Sequence, residues 1–483
     1  MKNYKYYLDK TGEIGYVKRV VHSIAYVEGL PNAVSKEVVL FECGAQGLIL
    51  SLLDNFIEVL LISSVPVKVG ESVARTGEQL TVPLSEELLG SIVSPLVLSL
   101  SGEEIVAKPK EKRPVDNEPI SILGRTEIKL PFETGVKIVD LMVPLGKGQR
   151  ELVIGDRKTG KTLFLMQAML SQSRLNTICV YSAIGKRQQE LESVIDFMEE
   201  NKILSSSVVV ATGSADPAGL IYLTPYTAMT IAEYFRDLGR DVLIIMDDLT
   251  AHASYYREIS LLARRFPGRS SYPGDIFYMH AKLLERAGCF ENGTITALPV
   301  AESAMGDLTG YIQSNLMAMT DGHIFFDIDR YNRGIRPAIN PFLSVTRVGM
   351  AAQSPLVRDL NRHLSSFLVH MEEVREFMHF GAEVSDSLKS TLNLGIRVDE
   401  FLHQEQLSIV PVNIAIFLLG AIWGGFAKDI DKDKLRTEYD RIFQKYSNVT
   451  QFRQFVDSLI LGSPSFNDLV QKISKQEGAF SLQ

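Results

Sequence analysis

The sequence is poor in the residues that build metal centres and disulfides. Only three of its 483 residues are cysteine, and Cys43, Cys179 and Cys289 lie far apart without a CxxC pair. This spacing excludes the usual zinc motifs and a disulfide framework, and it fits a reducing compartment. The eight histidines show no metal-ligand spacing, so we expect them to be structural.

Positive charge is not in excess either. The formal net charge is −8, whereas a general nucleic-acid-binding protein usually carries a basic face. We therefore expect no nucleic-acid partner. The net charge does not by itself exclude a local basic patch. A content of 46% hydrophobic and 22% charged residues is ordinary for a globular protein, and the length predicts roughly two to four domains.

Long apolar segments are scarce. The N-terminus, MKNYKYYLDKTGE, has no apolar core and is not rich in Arg or Ser, so no targeting peptide is visible. The most apolar run, residues 409–427, approaches membrane-spanning length, but proline, asparagine and a glycine pair interrupt it. We expect a buried helix of a soluble domain there, with a membrane span as the alternative.

The hydrophobic pattern changes twice along the chain. Residues 10 to about 75 contain short β-branched runs between turn residues, which is typical of a small barrel or sandwich. Residues 108–119 are polar and proline-containing, as in a linker or exposed loop. From about 120 to 350, apolar runs alternate with helical stretches, which indicates a parallel sheet with crossover helices. Beyond about 355, apolar residues at three- and four-residue spacing predict helices.

A phosphate-binding motif lies in the central region. The sequence GDRKTGKT, residues 155–162, matches G-x-x-x-x-G-K-[ST] between an apolar run and a helical stretch. Backbone N–H groups of this loop would surround phosphate oxygens, Lys161 would reach the outer phosphates, and the Thr162 hydroxyl would bind Mg²⁺. The predicted nucleotide-binding residues of the loop are Gly155, Asp156, Arg157, Lys158, Thr159, Gly160, Lys161 and Thr162.

A carboxylate that could hold the metal follows another apolar run. In DVLIIMDDL, Asp247 comes first at the predicted strand end and could bind Mg²⁺ through water. The alternative is an acidic helix cap. The predicted fold is therefore multi-domain, with an N-terminal β-barrel (residues 1–80), a central α/β P-loop domain of the RecA-like kind (81–355) and a C-terminal α-helical bundle (356–483).

Long strings of the sequence resemble the alpha subunit of F-type ATP synthases. They include PLGKGQRELVIGDRKTGKT, EYFRDLGRDVLIIMDDL and GIRPAINPFLSVTRVG, and the resemblance runs from about residue 12 to 405 and more loosely to the end. The loop GDRxTGKT is the alpha form, whereas the catalytic beta subunit has GGAGVGKT.

The resemblance implies a rotary, proton-translocating complex. Three alpha and three catalytic beta subunits would alternate in a ring around a central gamma-type shaft, with ATP or ADP and Mg²⁺ bound to this chain at a non-catalytic site. The complex would be a peripheral one on the cytoplasmic face of a bacterial plasma membrane or on an organelle inner membrane, and this chain would meet the membrane only through it. The sequence does not decide whether this chain binds a peripheral stalk, because the barrel is expected to begin near residue 12, without the family's preceding amphipathic helix.

The resemblance also suggests roles for residues outside the loop. Arg347, in SVTRVG, would be an arginine finger for the neighbouring beta site, although an isolated arginine there would be an ordinary surface ion-pair partner. The adenine end would be formed by Arg336 and Pro337 as a wall and by the amides of Gln404 and Gln406; exposed polar side chains are the alternative. We expect Gln167 to be a solvated helix residue.

One position argues against catalysis by this chain. ATP hydrolysis needs a carboxylate or amide that orients the attacking water; the beta subunit has Glu directly after a strand-ending Gly, and alpha has Gln. Here Lys186 follows Gly185, and an ammonium near phosphates stays protonated and cannot act as a base. Glu190 and Glu192 lie further along, in a predicted helix. We expect Mg-ATP binding without turnover.

Three other functions compete with this interpretation. The chain could be an alpha-like subunit of a specialised F-type-like motor that is not used for synthesis. A Rho-type RNA translocase would need an RNA-binding N-terminal domain, which the acidic balance opposes. A catalytic export ATPase would need a Glu at the position of Lys186.

Overall fold

The computed structural model describes residues 3–100, 103–106, 108–379 and 386–475, with side chains in these ranges except at 376–379 and 386–388. The chain divides into two compact units. Unit 1 comprises Met1–Glu127, Gly148–Ile154 and Ser173–Asp321, and unit 2 comprises Ile128–Lys147, Gly155–Gln172 and Gly322–Gln483. The domain boundaries placed after residues 80 and 355 stay predictions.

The strands of the described residues follow in chain order. They are β1 (Ile14–Val21), β2 (Ile24–Glu28), β3 (Glu37–Phe41), β4 (Gln46–Leu52), β5 (Ile57–Leu61), β6 (Ser72–Gln79), β7 (Thr81–Leu84), β8 (Ile92–Val93), β9 (Glu111–Pro114), β10 (Pro131–Phe132), β11 (Leu145–Gly146), β12 (Glu151–Gly155), β13 (Ile178–Lys186), β14 (Ser207–Gly213), β15 (Val242–Asp247), β16 (Gly288–Cys289), β17 (Thr294–Glu302), β18 (Gly322–Phe326) and β19 (Val345–Thr346).

The α-helices of the described residues follow in the same order. They are α1 (Tyr4–Thr11), α2 (Lys137–Met142), α3 (Lys161–Arg174), α4 (Gln188–Glu200), α5 (Ala218–Asp237), α6 (Leu249–Leu262), α7 (Ile276–Leu284), α8 (Tyr311–Met319), α9 (Ile328–Asn332), α10 (Pro355–His379), α11 (Asp386–Leu402), α12 (Val412–Trp423), α13 (Lys432–Asn448), α14 (Thr450–Leu461) and α15 (Phe466–Ser474).

Unit 1 begins with a closed barrel. Its six antiparallel strands follow the order β1-β2-β5-β4-β3-β6, and β6 pairs back with β1. Val17, Val27, Phe41, Ile49 and Val59 belong to one buried cluster of these strands. Closure leaves no free strand edge, so of the two architectures open from the sequence, the barrel is present.

The rest of unit 1 contains a parallel sheet in the strand order β12-β17-β15-β13-β14-β8. The apolar runs that predicted strands became β12 to β15, and the helices α4, α5 and α6 connect or follow them. In parallel strands the carboxyl ends share one edge of the sheet, which is where ligands bind in such folds. Ile154 of β12 and Asp247 of β15 are both at that edge.

The expected linker at residues 108–119 is partly wrong. Glu111–Pro114 form β9, which pairs antiparallel with β7. β9 has only one partner strand, in a two-stranded sheet. Such a strand needs no continuous apolar run, so the polar sequence of this segment gave no strand signal.

Unit 2 is largely helical from α9 onward, as the pattern after residue 355 predicts. Its strands form two hairpin-like pairs, β10 with β11 and β18 with β19. Residues 409–427 contain α12, where Ile414 to Ile422 are all buried. Within the described ranges, no helix combines the length and apolarity needed to cross a membrane. The predicted fold class, a barrel followed by an α/β P-loop region and a helical region, is confirmed.

Candidate nucleotide-binding site

The phosphate loop lies between a strand and a helix, as its motif requires. β12 ends at Gly155 and α3 begins at Lys161. A Cβ on Gly155 would lie 2.4 Å from the carbonyl oxygen of Phe326, so no larger residue fits there without moving the backbone. The loop can therefore pass close to β18 only because this position is glycine.

The side chains of the loop are arranged around its own main chain. The Lys161 ammonium donates to Gly155 O at 2.6 Å and to Asp156 O at 2.7 Å, and the Thr159 hydroxyl donates to Asp156 O at 2.7 Å. These bonds hold the ammonium at the loop, where a phosphate oxygen would bind. The Thr162 side chain is exposed in the first turn of α3, a position from which a hydroxyl can reach a metal ion.

One cavity in unit 2 joins the loop to the predicted adenine end. It is lined by Lys158, Thr159 and Gly160 and also by Arg336, Pro337, Gln404 and Gln406. Phe164 and Phe326 lie in the same wall, with their ring centroids 5.7 Å apart. Residues from three separated stretches of sequence thus converge on a space with aromatic and polar walls, which suits a purine base beside a phosphate loop.

Arg336, which lines this cavity, is fixed by two hydrogen bonds and an aromatic contact. Its guanidinium donates to the carbonyl oxygens of Tyr331 at 2.8 Å and Ile335 at 2.9 Å. It also stacks on the Tyr331 ring at 3.8 Å from the centroid. A planar guanidinium fixed in this way can serve as a stacking surface.

The two predicted adenine-binding amides differ in burial. Gln404 is buried; its amide nitrogen donates to Gly135 O at 2.7 Å and Ser408 O at 2.5 Å, and its oxygen accepts from Lys137 N at 2.9 Å. Both N–H groups of Gln404 are thereby used within the protein. Gln406 is exposed beside the same cavity, so its amide is the one accessible to a ligand.

The expectation that Gln167 is a solvated helix residue is wrong. Gln167 is 6% exposed, and its amide nitrogen donates to Gly135 O at 3.2 Å and to Ser408 O. Gln167 and Gln404 therefore donate to the same two carbonyl groups, those of Gly135 and Ser408, beside the cavity. A polar residue in an amphipathic helix gives no local signal of such a distant partner.

In unit 1, each oxygen of the Asp247 carboxylate accepts a hydrogen bond from a neighbouring side chain. Asp247 Oδ1 accepts from the Lys186 ammonium at 2.7 Å, and Oδ2 accepts from the Tyr181 hydroxyl at 2.6 Å. The Lys186 nitrogen also lies 3.9 Å from Asp248 Oδ2. The Asp248 Oδ1 atom accepts from Ala251 N at 2.6 Å and caps α6, so the helix-cap alternative applies to Asp248.

The strand register explains how Lys186 reaches this carboxylate. Ala183 of β13 lies opposite Asp247 of β15, and Lys186 ends β13 three residues later. Between them Gly185 has φ +60°, and a Cβ there would lie 2.8 Å from the Tyr255 ring. The turn at this position therefore requires glycine. The turn brings the next residue, Lys186, towards the carboxyl ends of the strands.

The electrostatics of this cluster favour an ammonium. Burial alone would lower the pKa of Lys186, but the charges of Asp247 and Asp248 outweigh it and hold the pKa above its ordinary value. Burial raises the pKa of Asp248 to about 6, although Lys186 opposes the shift. Burial and the Asp247 charge raise the pKa of Tyr181 well above its ordinary range. Lys186 is therefore a cation and not a base at neutral pH.

The two Mg²⁺ ligands predicted from the sequence belong to different units. In unit 2 the Thr162 side chain is exposed. In unit 1 each oxygen of Asp247 accepts one protein hydrogen bond, which leaves further acceptor sites on the carboxylate. Among the described residues, no three His, Cys, Asp or Glu side chains cluster as a metal site. The water-mediated Mg²⁺ contact at Asp247 stays a prediction.

Arg347 lies in unit 2, apart from the loop cavity. It directly follows β19, which pairs with β18, and its side chain is exposed. Burial lowers the pKa of His323 while a hydrogen bond to Leu343 O opposes this, and the charge of Arg347 lowers it further. The exposed guanidinium thus lies within electrostatic range of the buried His323.

The strand, phosphate loop and helix, with a carboxylate at a strand end of a parallel sheet, define a nucleotide-binding protein of the P-loop class. Residues 135–346 match the family described as "ATP synthase alpha/beta family, nucleotide-binding domain". Residues 353–474 match "ATP synthase alpha/beta chain, C terminal domain".

Individual relatives agree with these matches. The mitochondrial ATP synthase subunit alpha of Neurospora crassa is 40% identical over 92% of this chain and 83% of its own length. The ATP synthase subunits alpha of Sulfurovum sp. (40% identical; 86% of this chain and 84% of its own length) and Dictyoglomus turgidum (39%; 92% and 89%) are similar. The chain belongs to the ATP synthase alpha/beta family, among the alpha subunits of F-type ATP synthases.

Proposed function

We propose that this chain is the non-catalytic nucleotide-holding subunit of a rotary ATP synthase or ATPase. It binds ATP or ADP in the cavity that joins the phosphate loop to Arg336, Pro337 and Gln406. Lys161 contacts the outer phosphates and Thr162 provides the hydroxyl for Mg²⁺. The role of Asp247 as a second, water-mediated Mg²⁺ contact stays a prediction from the sequence.

The observation that carries the proposal is the ion pair of Lys186. The residue after Gly185 is the position from which a catalytic Glu would orient water, and here it is an ammonium 2.7 Å from Asp247. Glu190 and Glu192 are exposed on α4 and offer no replacement. Binding without turnover follows, because nothing at this position can accept the proton of the attacking water.

Family membership supports the proposed partners. The relatives are named as alpha subunits of ATP synthase, so this chain would alternate with catalytic beta subunits in a ring of three and three around a gamma-type shaft. Arg347 would act in trans as the arginine finger of the beta site, which its exposure supports. The ring would reach the membrane only through the complex, on the cytoplasmic face of a bacterial plasma membrane or on an organelle inner membrane.

The Lys186–Asp247 pair also favours a second candidate, an alpha-like subunit of a specialised F-type-like motor that does not synthesise ATP. A lysine at this position departs from the Gln of the alpha subunits that the sequence resembles. Purification of the native complex distinguishes the two candidates: a membrane rotor among its subunits supports the synthase, and its absence supports the specialised motor.

Binding without turnover is tested on the purified full-length chain. We expect calorimetry to detect ATP binding and a phosphate-release assay to detect no hydrolysis above buffer, in the wild type and in Lys186→Glu alike. Lys161→Ala should weaken ATP binding by roughly 10–100-fold, since it removes a charged hydrogen-bond donor. Lys434→Ala, an exposed lysine of α13 that does not line the cavity, is the control and should bind ATP as the wild type does. Fast hydrolysis by the chain alone would contradict the proposal.

A further inference from the structure

Another cavity of unit 2 contains the amine of a buried lysine. The cavity has a volume of about 260 Å³, and Lys137, the first residue of α2, lies in its wall. Lys137 is 4% exposed. Its Nζ atom donates to His403 O at 2.9 Å and lies 5.0 Å and 5.1 Å from the ring centroids of Phe401 and Phe443. The amine thus has one carbonyl oxygen and two aromatic faces around it, beside open space.

This amine lacks the counter-ion that a buried lysine usually has. The buried lysines of the described ranges are Lys137, Lys161 and Lys282. Lys282 pairs with two carboxylates, at 2.9 Å and 2.6 Å, and Lys161 belongs to the phosphate loop. Lys137 forms no ion pair with a carboxylate of the described residues. Burial without a counter-ion favours the neutral amine over the ammonium.

The charges around the cavity agree with a neutral amine near pH 7. Burial lowers the pKa of Lys137 to about 7; the charge of Asp440 opposes the shift, and that of Arg436 adds to it. The other titratable groups in the cavity wall are Glu405 and His403, whose own pKa is lowered by burial. About half of the Lys137 amines therefore have a free lone pair at pH 7, and such an amine is a nucleophile.

An unpartnered donor in the same wall favours a product that is an anion. The Nη2 atom of Arg436 donates to Glu400 Oε2 at 3.0 Å, but its buried Nε has no acceptor among the described residues. An oxyanion formed on Lys137 would bring an acceptor and a negative charge into the cavity of this guanidinium. Acylation of the amine would give a neutral amide, whereas CO₂ gives an anionic carbamate. CO₂ is also small and uncharged, so the cavity has room for it.

We propose that Lys137 is a site of carbamate formation with dissolved CO₂. The lone pair of Nζ attacks the carbon of CO₂, so that an N–C bond forms and one C=O π pair moves onto oxygen. The nitrogen then loses a proton to water, which leaves a carbamate anion whose charge Arg436 stabilises. The step needs no oxidant, reductant or other reactant. It goes beyond the proposed function, since neither the nucleotide nor Mg²⁺ takes part in it.

The test places the full-length protein in ¹³C-labelled bicarbonate buffer, converts carbamates to esters with triethyloxonium and locates the modified lysines by mass spectrometry. We expect Lys137 to be labelled at least about tenfold more than the exposed Lys434, because a lysine with the ordinary pKa of about 10.4 is almost fully protonated near pH 7. At constant dissolved CO₂, labelling of Lys137 should rise between about pH 6 and 8. The carbamate resonance in the ¹³C NMR spectrum gives a second readout without trapping.

Two variants of the cavity wall should act in opposite directions. Asp440→Asn removes a charge that disfavours both the neutral amine and the carbamate, so labelling should rise by about threefold, the equivalent of half a pKa unit. Arg436→Gln removes a charge that favours both and should lower labelling by about as much. Arg441→Gln, an exposed arginine of the same helix, is the matched control and should leave labelling unchanged. Lys137→Gln should lose the labelled peptide and the resonance.

Circular dichroism shows whether each variant is folded, and the wild-type measurement stands even where a variant is not. An absence of label on Lys137 in the wild type overturns the inference, as does equal labelling of Lys137 and Lys434. Labelling that is the same in Asp440→Asn, Arg436→Gln and the wild type also overturns it. None of these measurements involves ATP, so the proposed function is tested separately.

Discussion

Arg286 is a charged residue that is almost completely buried in unit 1. Its guanidinium donates to Glu233 Oε1 at 2.9 Å and Oε2 at 2.7 Å, to Val115 O at 2.9 Å and to the Thr230 hydroxyl at 2.8 Å. The Glu233 side chain is 6% exposed. Each charge thus has a bidentate partner of opposite sign inside the protein.

Removing one partner of this pair should be costly. Arg286→Met leaves the Glu233 carboxylate buried without a counter-ion, and we expect the free energy of unfolding to fall by roughly 3–5 kcal/mol. The double variant Arg286→Met/Glu233→Gln should recover part of this loss in denaturant titrations. Lys10→Met breaks the exposed pair with Glu78 and should change stability far less. An equally small effect of Arg286→Met would contradict the burial argument.

Single residues also show where sequence reasoning reached its limit. The predicted residues that line one cavity each stand in a recognisable string; they are Lys158, Thr159, Gly160, Arg336, Pro337, Gln404 and Gln406. The burial of Gln167 was not predicted, since its partners are carbonyl groups from distant segments. The bond between Lys186 and Asp247 was missed for the same reason, as 61 positions separate them.

The same distinction holds for helices and strands. β12 to β15 and α12 were predicted because a run of apolar residues is a local signal. β9 was not, because it exists through pairing with β7, about 30 positions earlier in the chain. The short helix α1 before the barrel was likewise not predicted; it is polar in composition, with Tyr7 its buried residue.

The helices α5, α6 and α7 meet at a buried pair of histidines. Nδ1 of His252 on α6 lies 3.0 Å from Nε2 of His280 on α7, and His252 Nε2 lies 3.0 Å from Tyr222 O on α5. Because a carbonyl only accepts, Nε2 of His252 carries a proton and Nδ1 accepts from His280. A further proton on His252 would place two N–H groups face to face. The neutral pair thus links α6 to α7 and to α5.

Protonation of this pair should weaken unit 1 in acid. Burial lowers the pKa of His252 to about 4, below its unfolded value of about 6.5. The unfolded state then binds more protons, so the stabilisation is complete above about pH 6.5 and is lost as pH falls towards 4. For His252 alone this amounts to about 3 kcal/mol. We expect urea midpoints to fall over this window.

Variants separate this effect from general acid unfolding. His252→Gln can still donate to Tyr222 O but does not titrate, so its urea midpoint should depend less steeply on pH between 6.5 and 4 than that of the wild type. The exposed His22→Asn should keep the wild-type slope. Identical slopes in all three proteins would remove the histidine pair as the cause.

Arg347 can be tested only in the assembled complex, because its proposed partner is another chain. An exposed arginine after a two-residue edge strand has no evident role for the nucleotide bound by its own chain, whose cavity is lined by other residues. A guanidinium that crosses to a neighbouring site can stabilise charge on a transferring phosphoryl group and contribute about 10³–10⁵ in rate. Lysine keeps the charge but loses the planar, bidentate geometry.

Arg347→Lys should therefore impair the catalytic site of the beta subunit and leave the nucleotide site of this chain unchanged. We expect ATP binding by the isolated chain to be unchanged, while hydrolysis by the reconstituted ring falls by about 10³-fold or more. Arg362→Lys, another exposed arginine of unit 2, should leave both measurements at the wild-type level. Size-exclusion chromatography establishes that each ring has assembled. Undiminished hydrolysis by an intact Arg347→Lys ring would refute the finger, whereas lost ATP binding by the isolated chain would place Arg347 in this chain's own site.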